Sequence, residues 1–317
     1  MDEKQLLIVS AAPHINDHKD TSYLMRSVLI ACLPSLAWSV YIYGLKALGL
    51  AIVCVAGCIA FEWISRKALD RTGTVSDLSA AVTGMILALI LPVGLPRWMA
   101  LIGCFTAIVV VKQLFGGLGQ NFANPAAVAG ITLLLSFPKE MTSWEVNDKM
   151  CSAIMASAPS GGATPLELFT NAQTIPTDLQ MFFGFVSGPM GEISTFAVLL
   201  GGIYLIIKRV IDPVAPICFL GSVMVVSALT GIDPLFQIMA GGVMFGAVFM
   251  ASDPVTTPVT YAGKAVFGIG CGLLTMLMRR YATYPDSMLF AILLMNILTP
   301  HIDAFTKSRF SKEGGNK

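Results

Sequence analysis

Charged side chains are scarce in this sequence. Only 12% of its 317 residues are Asp, Glu, Lys or Arg, whereas a soluble domain carries about 25%. Hydrophobic residues make up 55% of the chain, and its mean hydropathy is +0.75. Because so apolar a chain cannot hide its hydrophobic surface inside one globule, the composition predicts an integral membrane protein in contact with the lipid bilayer. The net charge of +1 gives no reason to expect a nucleic-acid partner.

Other features are also missing. The first 20 or so residues are polar, so we expect a surface arm rather than a cleavable signal peptide. No carboxylate falls clearly in the middle of a predicted span, so the sequence indicates no proton relay within this chain. Six of the seven cysteines lie in apolar runs and are expected to be small buried residues. Cys54 and Cys58 share one helix face, but two thiolates are too few for an iron–sulfur cluster unless a partner adds ligands. Glu62, Glu192, Asp212 and Asp233 are expected to lie near span ends.

Long apolar runs dominate the rest of the chain. They predict an all-α integral membrane fold of about ten transmembrane helices, arranged as two five-helix repeats around a polar loop. Short, proline-interrupted runs in corresponding halves favour inverted repeats with broken helices. The predicted spans are 24–43, 46–64, 78–92, 97–115, 125–137, 180–207, 214–230, 235–251, 264–279 and 286–300. The predicted divisions are an N-terminal arm (1–23), a first repeat (24–137), a loop (138–179), a second repeat (180–305) and a tail (306–317).

The distribution of Lys and Arg predicts the orientation. With ten spans, both termini lie on one side together with most of the basic residues, and the positive-inside rule makes that side cytoplasmic. The loop 138–179 then faces outward. Arg279 and Arg280 fall on the outer side against the trend. Either the last two spans are predicted wrongly, or the two arginines are a pair for an anion there, such as a phosphate.

The outer loop carries the sequence Ser160-Gly161-Gly162-Ala163-Thr164-Pro165-Leu166. Phosphoester attachment of a flavin needs a threonine hydroxyl that a transferase can reach. The glycines are expected to leave the backbone open, and Pro165 biases Thr164 away from helical geometry. In a soluble protein of unknown class, the same motif would be better explained as a flexible loop.

A second group of polar residues converges on the predicted cytoplasmic side. Asp77, Asn121, Asn124 and Asp253 each lie next to the start or end of a predicted helix. Each is individually best explained as a helix cap. Their convergence, with glycines nearby, makes a ligand pocket the second interpretation.

Together these motifs resemble a family of membrane subunits, namely the RnfD subunit of the ion-translocating ferredoxin:NAD oxidoreductase (Rnf) complex and, more distantly, the NqrB subunit of sodium-pumping NADH:quinone oxidoreductase. The resemblance runs over nearly the whole chain. It rests on Ser76-Asp77 with Thr83-Gly84, on Asn121 to Ala127, on Gly162 to Leu166 and on Met250 to Pro258.

The resemblance implies a flavoprotein. Thr164 would carry FMN, added by a flavin transferase on the outer face, and a second flavin such as riboflavin would bind on the cytoplasmic side. The residues concerned would be Gly162, Ala163, Thr164, Pro165 and Leu166 for the covalent FMN, and Asn121, Asn124, Asp253 and Thr256 for the second flavin, with Arg279 and Arg280 as further candidates for the phosphate.

The resemblance also implies a place in a complex. The chain would be a multi-pass subunit of a prokaryotic plasma membrane translocase, with no complete activity alone. It would take electrons from an outward-facing flavin subunit and pass them toward a cytoplasmic NAD-reducing subunit, with sodium or proton movement coupled to the complex.

Two departures from the motif keep alternatives open. Ala158 stands six residues before Thr164, where the transferase motif usually has Asp, and Gly161 replaces the usual Ser or Thr. A scaffold subunit without covalent flavin is therefore one alternative. A solute channel or transporter is the other, because broken-helix repeats also occur in such proteins.

Overall fold

The computed structural model describes residues 20–70, 77–145, 162–281 and 287–314, and the side chains up to Thr306. All regular secondary structure in these residues is helical, which confirms the predicted all-α class. Four helices are long and apolar enough to cross a membrane, and four shorter apolar helices accompany them. The arrangement of ten spans in two repeats stays a prediction.

The helices of the described residues are numbered here in chain order. Two of them, α4 and α12, continue directly into π-helical segments, Thr106–Gln113 and Gly246–Met250 respectively. The helices are α1 (Thr21–Tyr43), α2 (Leu45–Ala68), α3 (Ser79–Ile90), α4 (Arg97–Phe105), α5 (Pro125–Ser136), α6 (Pro138–Met141), α7 (Pro165–Thr170), α8 (Asp178–Phe183), α9 (Thr195–Ile207), α10 (Val214–Leu229), α11 (Pro234–Met239), α12 (Val243–Phe245), α13 (Tyr261–Tyr281) and α14 (Met288–Gly314).

Three predicted spans differ from the observed helices. The span 180–207 is wrong as a single helix, because α8 ends at Gly184, which has a left-handed φ of +91°, and α9 begins only after Ser194 caps it. The span 235–251 is broken where Gly241 and Gly242 adopt φ of +62° and +66°. The last helix continues through Pro300, where the prediction ended it, to Gly314.

Small residues allow helix backbones to approach closely. Gly84 of α3 lies against the backbone of Cys54 in α2, and a Cβ there would lie 2.7 Å from the Cys54 carbonyl oxygen. Gly268 of α13 packs in the same way on the carbonyl of Ala215 in α10. Close approach through small residues is typical of helix packing in membranes.

The cysteines of the described residues belong to this packing. Five are buried, as predicted, and Cys218 is partly buried, whereas Cys151 lies outside the described residues. No group of three or more His, Cys, Asp or Glu side chains in the described chain could hold a metal ion. The five buried cysteines are Cys32, Cys54, Cys58, Cys104 and Cys271.

Candidate functional site: two cavity systems along one helix pair

Thr164 is the N-cap of the short helix α7. Its Oγ1 accepts a hydrogen bond from the backbone N–H of Glu167 at 3.2 Å. In return, the Glu167 carboxylate accepts from the N–H of Thr164 at 2.8 Å, which completes a capping box. Pro165 occupies the first helical position and Thr164 is extended, at φ −70° and ψ 156°, as the sequence predicted.

The glycine before Thr164 has a different role from the one expected. Thr164 is only 3% exposed, so the expectation of an exposed hydroxyl is wrong for this conformation. Gly162 does not open the backbone but packs against the backbone of Trp144, where a Cβ would overlap the carbonyl oxygen. The motif is therefore folded onto the end of the α5–α6 segment. Gly161 and Ala158 lie outside the described residues.

Two adjoining cavities lie beside Thr164. The smaller, called here the Thr164 cavity, is lined by Thr164 and Pro165 together with Gly188 and other residues of the 186–193 turn. The larger, the Trp144 cavity, has a volume of about 300 Å³ and is lined by Trp144 and Glu167 among others. No described Lys or Arg side chain lines either cavity. The two cavities share the wall residues Pro189, Glu192 and Gly241.

The two arginines that were candidates to bind the phosphate have different surroundings in the structure. The Arg279 guanidinium donates to the Gln237 carbonyl and side-chain oxygens, both at 2.6 Å, to the Ala240 carbonyl at 2.6 Å and to the Gly241 carbonyl at 3.3 Å. Arg279 thus holds the C-terminal end of α11 and the glycine turn that lines both cavities. Arg280 instead lines a separate groove between α10 and α13.

A further cavity, called here the Asn121 cavity, lies at the other ends of α3 and α5. Of the four polar residues predicted to converge, Asn121, Asn124 and Asp253 line this cavity, together with Ser79 and Lys112, whereas Asp77 does not. The Asn121 Oδ1 atom is buried and has no hydrogen-bond partner in the described chain. Buried polar atoms are almost always paired, so this atom indicates an absent donor.

Asn124 both caps a helix and lines the Asn121 cavity. Asn124 is a helix cap, because its Oδ1 accepts from the N–H groups of Ala126 and Ala127 at 3.0 and 3.2 Å. It also lines the cavity. In the amide orientation that satisfies both contacts, Asn296 of α14 accepts from the Asn124 N–H at 3.0 Å and donates to the Thr256 carbonyl at 3.2 Å.

Asp253 occupies the turn after the second π-helical segment. Its carboxylate accepts from the Val255 N–H at 3.3 Å and from the Thr256 hydroxyl at 3.1 Å. Burial raises the pKa of Asp253 above its ordinary value, and these two hydrogen bonds only partly oppose that effect. Thr256 is therefore a neighbour that orients Asp253 and does not itself line the cavity.

A buried ion pair borders the Asn121 cavity. The Lys112 ammonium lies 2.9 Å from a carboxylate oxygen of Glu62 and 2.5 Å from the Ser79 hydroxyl. The Gln113 side chain donates to the same Glu62 oxygen at 2.8 Å, and the Ser79 hydroxyl donates to Asp77 at 2.6 Å. Hydrogen bonds thus connect Glu62 on α2 with the N-terminus of α3.

Sequence analysis missed this ion pair. Lys112 counted only among the basic residues of the predicted cytoplasmic side, although it lies in the predicted span 97–115, and Glu62 counted only as a carboxylate near a span end. Both side chains are at most 2% exposed. The available signal was a lysine inside an apolar run, since charged residues within spans are costly and mark functional sites. No sequence signal pointed to Trp144.

The two cavity systems lie along the same two helices. Ile86 of α3 and Ala126 of α5 line the Asn121 cavity. Ile90 and Gly130, four residues further along each helix, line the Trp144 cavity. Four residues correspond to about 6 Å of rise in an α-helix. The fold therefore places the Thr164 motif and the Asn121 cavity at opposite ends of α3 and α5, with about one helical turn between their nearest walls.

The fold defines a multi-pass helical membrane protein in which two internal cavity systems lie in series along α3 and α5. Comparison with known proteins gives the family. The sequence matches the family described as NQR2, RnfD, RnfE over residues 8–312, and the chain belongs to that family.

Similar proteins cover nearly the full length. The chain is 44% identical to the D subunit of the Na(+)-translocating ferredoxin:NAD(+) oxidoreductase complex of Acetobacterium woodii, over 96% of this chain and 94% of that protein. It is 36% identical to the D subunit of the proton-translocating ferredoxin:NAD(+) oxidoreductase complex of Clostridium ljungdahlii, over 96% of each. It is 35% identical to the D subunit of the ion-translocating oxidoreductase complex of Stutzerimonas stutzeri, over 90% of each.

Proposed function

We propose that this chain is the membrane electron-transfer subunit of an ion-translocating ferredoxin:NAD oxidoreductase complex of the Rnf type, and that it carries electrons through FMN bound covalently to Thr164. The subunit assignment is supported by the names of relatives that match the chain almost end to end. The single observation that supports the site is the position of Thr164 at a capped helix start beside two adjoining cavities.

The residues around Thr164 fit an attached FMN. The capping box and Pro165 hold Thr164 in one backbone conformation. The Thr164 cavity, which shares wall residues with the Trp144 cavity, gives the attached cofactor a space that begins at Thr164. The Thr164 hydroxyl is buried and accepts a hydrogen bond from the Glu167 N–H. This hydrogen bond must break before the transferase can reach the hydroxyl. FMN, when bound, supplies the redox chemistry, and the chain supplies position and environment.

We further propose that the Asn121 cavity binds a second, noncovalent flavin such as riboflavin. The unpaired Asn121 Oδ1 is an acceptor that suits the N–H of a flavin ring. The Lys112 ammonium has three N–H groups and bonds to Glu62 and Ser79, so it can also donate to a flavin carbonyl oxygen. Raising the pKa of Asp253 favours its protonated form, which can also donate. Asn124 and Thr256 orient the turns that carry these groups.

The separation of about one helical turn between the cavity systems supports transfer of electrons along α3 and α5. We propose that the Thr164 end faces outward, toward a flavin subunit, and that the Asn121 end faces the cytoplasm and an NAD-reducing subunit. The names of the relatives include both sodium and proton translocation, so family membership does not specify the coupled ion.

The test is in-gel fluorescence of the denatured chain under ultraviolet light, after expression with the flavin transferase. The full-length wild type, Thr164→Ala and, as a matched control, Thr174→Ala would be compared, because Thr174 follows the same short helix, is exposed and lines neither cavity. We expect a fluorescent band in the wild type and in Thr174→Ala, and none in Thr164→Ala.

Other outcomes would contradict the proposal. A band that persists in Thr164→Ala would move the attachment site elsewhere. The absence of a band from the wild type, despite a transferase that modifies another substrate, would favour the scaffold or transporter alternatives and would implicate Ala158.

A further inference from the structure

The Trp144 cavity begins next to the attachment residue. Glu167, which forms the capping box with Thr164, lies in its wall. The backbone of Trp144 itself packs on Gly162, two residues before Thr164. A group linked to Thr164 by a phosphate and a ribityl chain would therefore start beside this cavity.

The walls of the cavity match an amphipathic planar ring. One part is apolar and is formed by side chains from α3, α5, α6 and α14. The other part is polar. The apolar wall residues include Ile90, Leu134, Met141, Met288 and Leu289, and the polar ones include Thr142, Glu167, Thr170, Asn171 and Glu192. An isoalloxazine ring has the same division, with an apolar dimethylbenzene end and a polar end that carries carbonyl oxygens and one N–H.

Trp144 has an unsatisfied donor at this cavity. Its Nε1 atom is buried and, within the described chain, makes no hydrogen bond. An indole N–H can only donate, and buried tryptophans usually find an acceptor. The missing partner is therefore an acceptor atom, and a flavin ring offers several.

We propose that the isoalloxazine ring of the FMN on Thr164 docks in the Trp144 cavity, with Trp144 Nε1 donating to an acceptor atom of the ring. This inference rests on the proposed covalent flavin. Trp144 is then a positioning residue that holds the ring against the ends of α3 and α5 that lie away from the Asn121 cavity. It does not take part in the redox chemistry.

The proposal predicts a spectroscopic signature. An indole in contact with an excited flavin quenches its emission, because the indole transiently gives one electron to the flavin and receives it back without a net reaction. Removing the indole should therefore increase native flavin emission, whereas a merely structural tryptophan would not affect it.

The experiment compares full-length chains flavinylated by the transferase and purified in detergent. Native emission is divided by the amount of covalent flavin from the denatured gel, and the emission of Thr164→Ala is subtracted to remove noncovalent flavin. We expect a several-fold increase for Trp144→Phe and none for the control Trp98→Phe, since Trp98 is 55% exposed, packs edge-on against Phe137 and does not line the cavity.

The possible failures are distinguishable. Equal native emission per covalent flavin in Trp144→Phe and wild type would overturn the docking proposal and leave the attachment intact. No gel band in the wild type would refute the attachment itself. If Trp144→Phe does not fold, iodide quenching of the wild type gives the answer, because a docked ring is protected, and quenching as strong as for free FMN would refute docking.

Discussion

Ile86 and Ile90 lie one turn apart on α3 and line different cavities. Ile86 borders the Asn121 cavity and Ile90 borders the Trp144 cavity, and both side chains are about 5% exposed or less. One buried helical turn thus forms the partition between the two candidate flavin sites. This relationship makes α3 the element on which the proposed electron path depends.

The first prediction concerns the contact between Gly162 and Trp144. Gly162→Ala would place a Cβ against the Trp144 carbonyl and should destabilise the folded motif by about 1–3 kcal/mol, the usual cost of overpacking. We expect a lower covalent flavin content on the denatured gel and a lower thermal midpoint in detergent. The matched control is Gly221→Ala, because a Cβ at Gly221 meets nothing within 4 Å. Unchanged flavin content in Gly162→Ala would show that the motif works in another conformation.

The second prediction concerns the buried pair of Glu62 and Lys112. Glu62→Ala leaves the Lys112 ammonium buried without its counter-charge and should cost about 3–5 kcal/mol of unfolding free energy. Replacing both residues by Met should cost less than Glu62→Ala alone, because the Lys112 charge is removed together with its partner, whereas the loss of the 3.8 Å contact between Arg66 and Glu62 is common to both variants. Thermal unfolding in detergent measures both effects.

An exposed pair provides the control for that measurement. Lys46 and Glu145 lie 3.0 Å apart with side chains 68% and 37% exposed, so breaking their contact should cost less than about 1 kcal/mol. If Glu62→Ala is as mild as Glu145→Ala, the Glu62 site is hydrated and the pair is not buried as described.

The third prediction is that replacing Arg279 and replacing Arg280 have different effects. Arg279→Gln leaves carbonyl groups at the end of α11 without their donors, and unpaired buried groups cost about 1–3 kcal/mol each. We expect a lower thermal midpoint and a reduced covalent flavin content, since the Gly241 turn lines both cavities near Thr164. Arg280→Gln should behave as wild type. Equal losses in the two variants would instead support the hypothesis that both arginines contact the phosphate.

The fourth prediction distinguishes capping from binding at the Asn121 cavity. Asn124→Ala removes a helix cap and should cost about 1 kcal/mol of stability. Asn121→Ala removes an atom that has no partner in the described chain, so stability should not fall, but noncovalent flavin should be lost. The flavin released on denaturing Thr164→Ala, with and without Asn121→Ala, is quantified by chromatography. Equal amounts in the two variants would place the second flavin elsewhere or refute it.

The membrane class, the helix caps and the family could be predicted from the sequence, because the signals for them are local. Scarcity of charge predicts a membrane protein regardless of how the helices pack. Pro165 next to Thr164 predicts an extended attachment residue, and Asn124 before Pro125 predicts a capped helix start, since each depends only on neighbouring atoms. The motifs also carry the resemblance to the family that the comparisons confirm.

The remaining features depend on residues that are distant in sequence. Gly162 meets Trp144 only when the loop folds back, so the same glycine that suggested an open backbone is in fact tightly packed. Lys112 and Glu62 are 50 positions apart, and only the packing of α2 beside the first π-helical segment joins them. Local patterns thus determined the membrane class, the helix caps and the family motifs. Helix packing decided which side chains are buried together and which cavities they line, because burial and pairing depend on the whole fold.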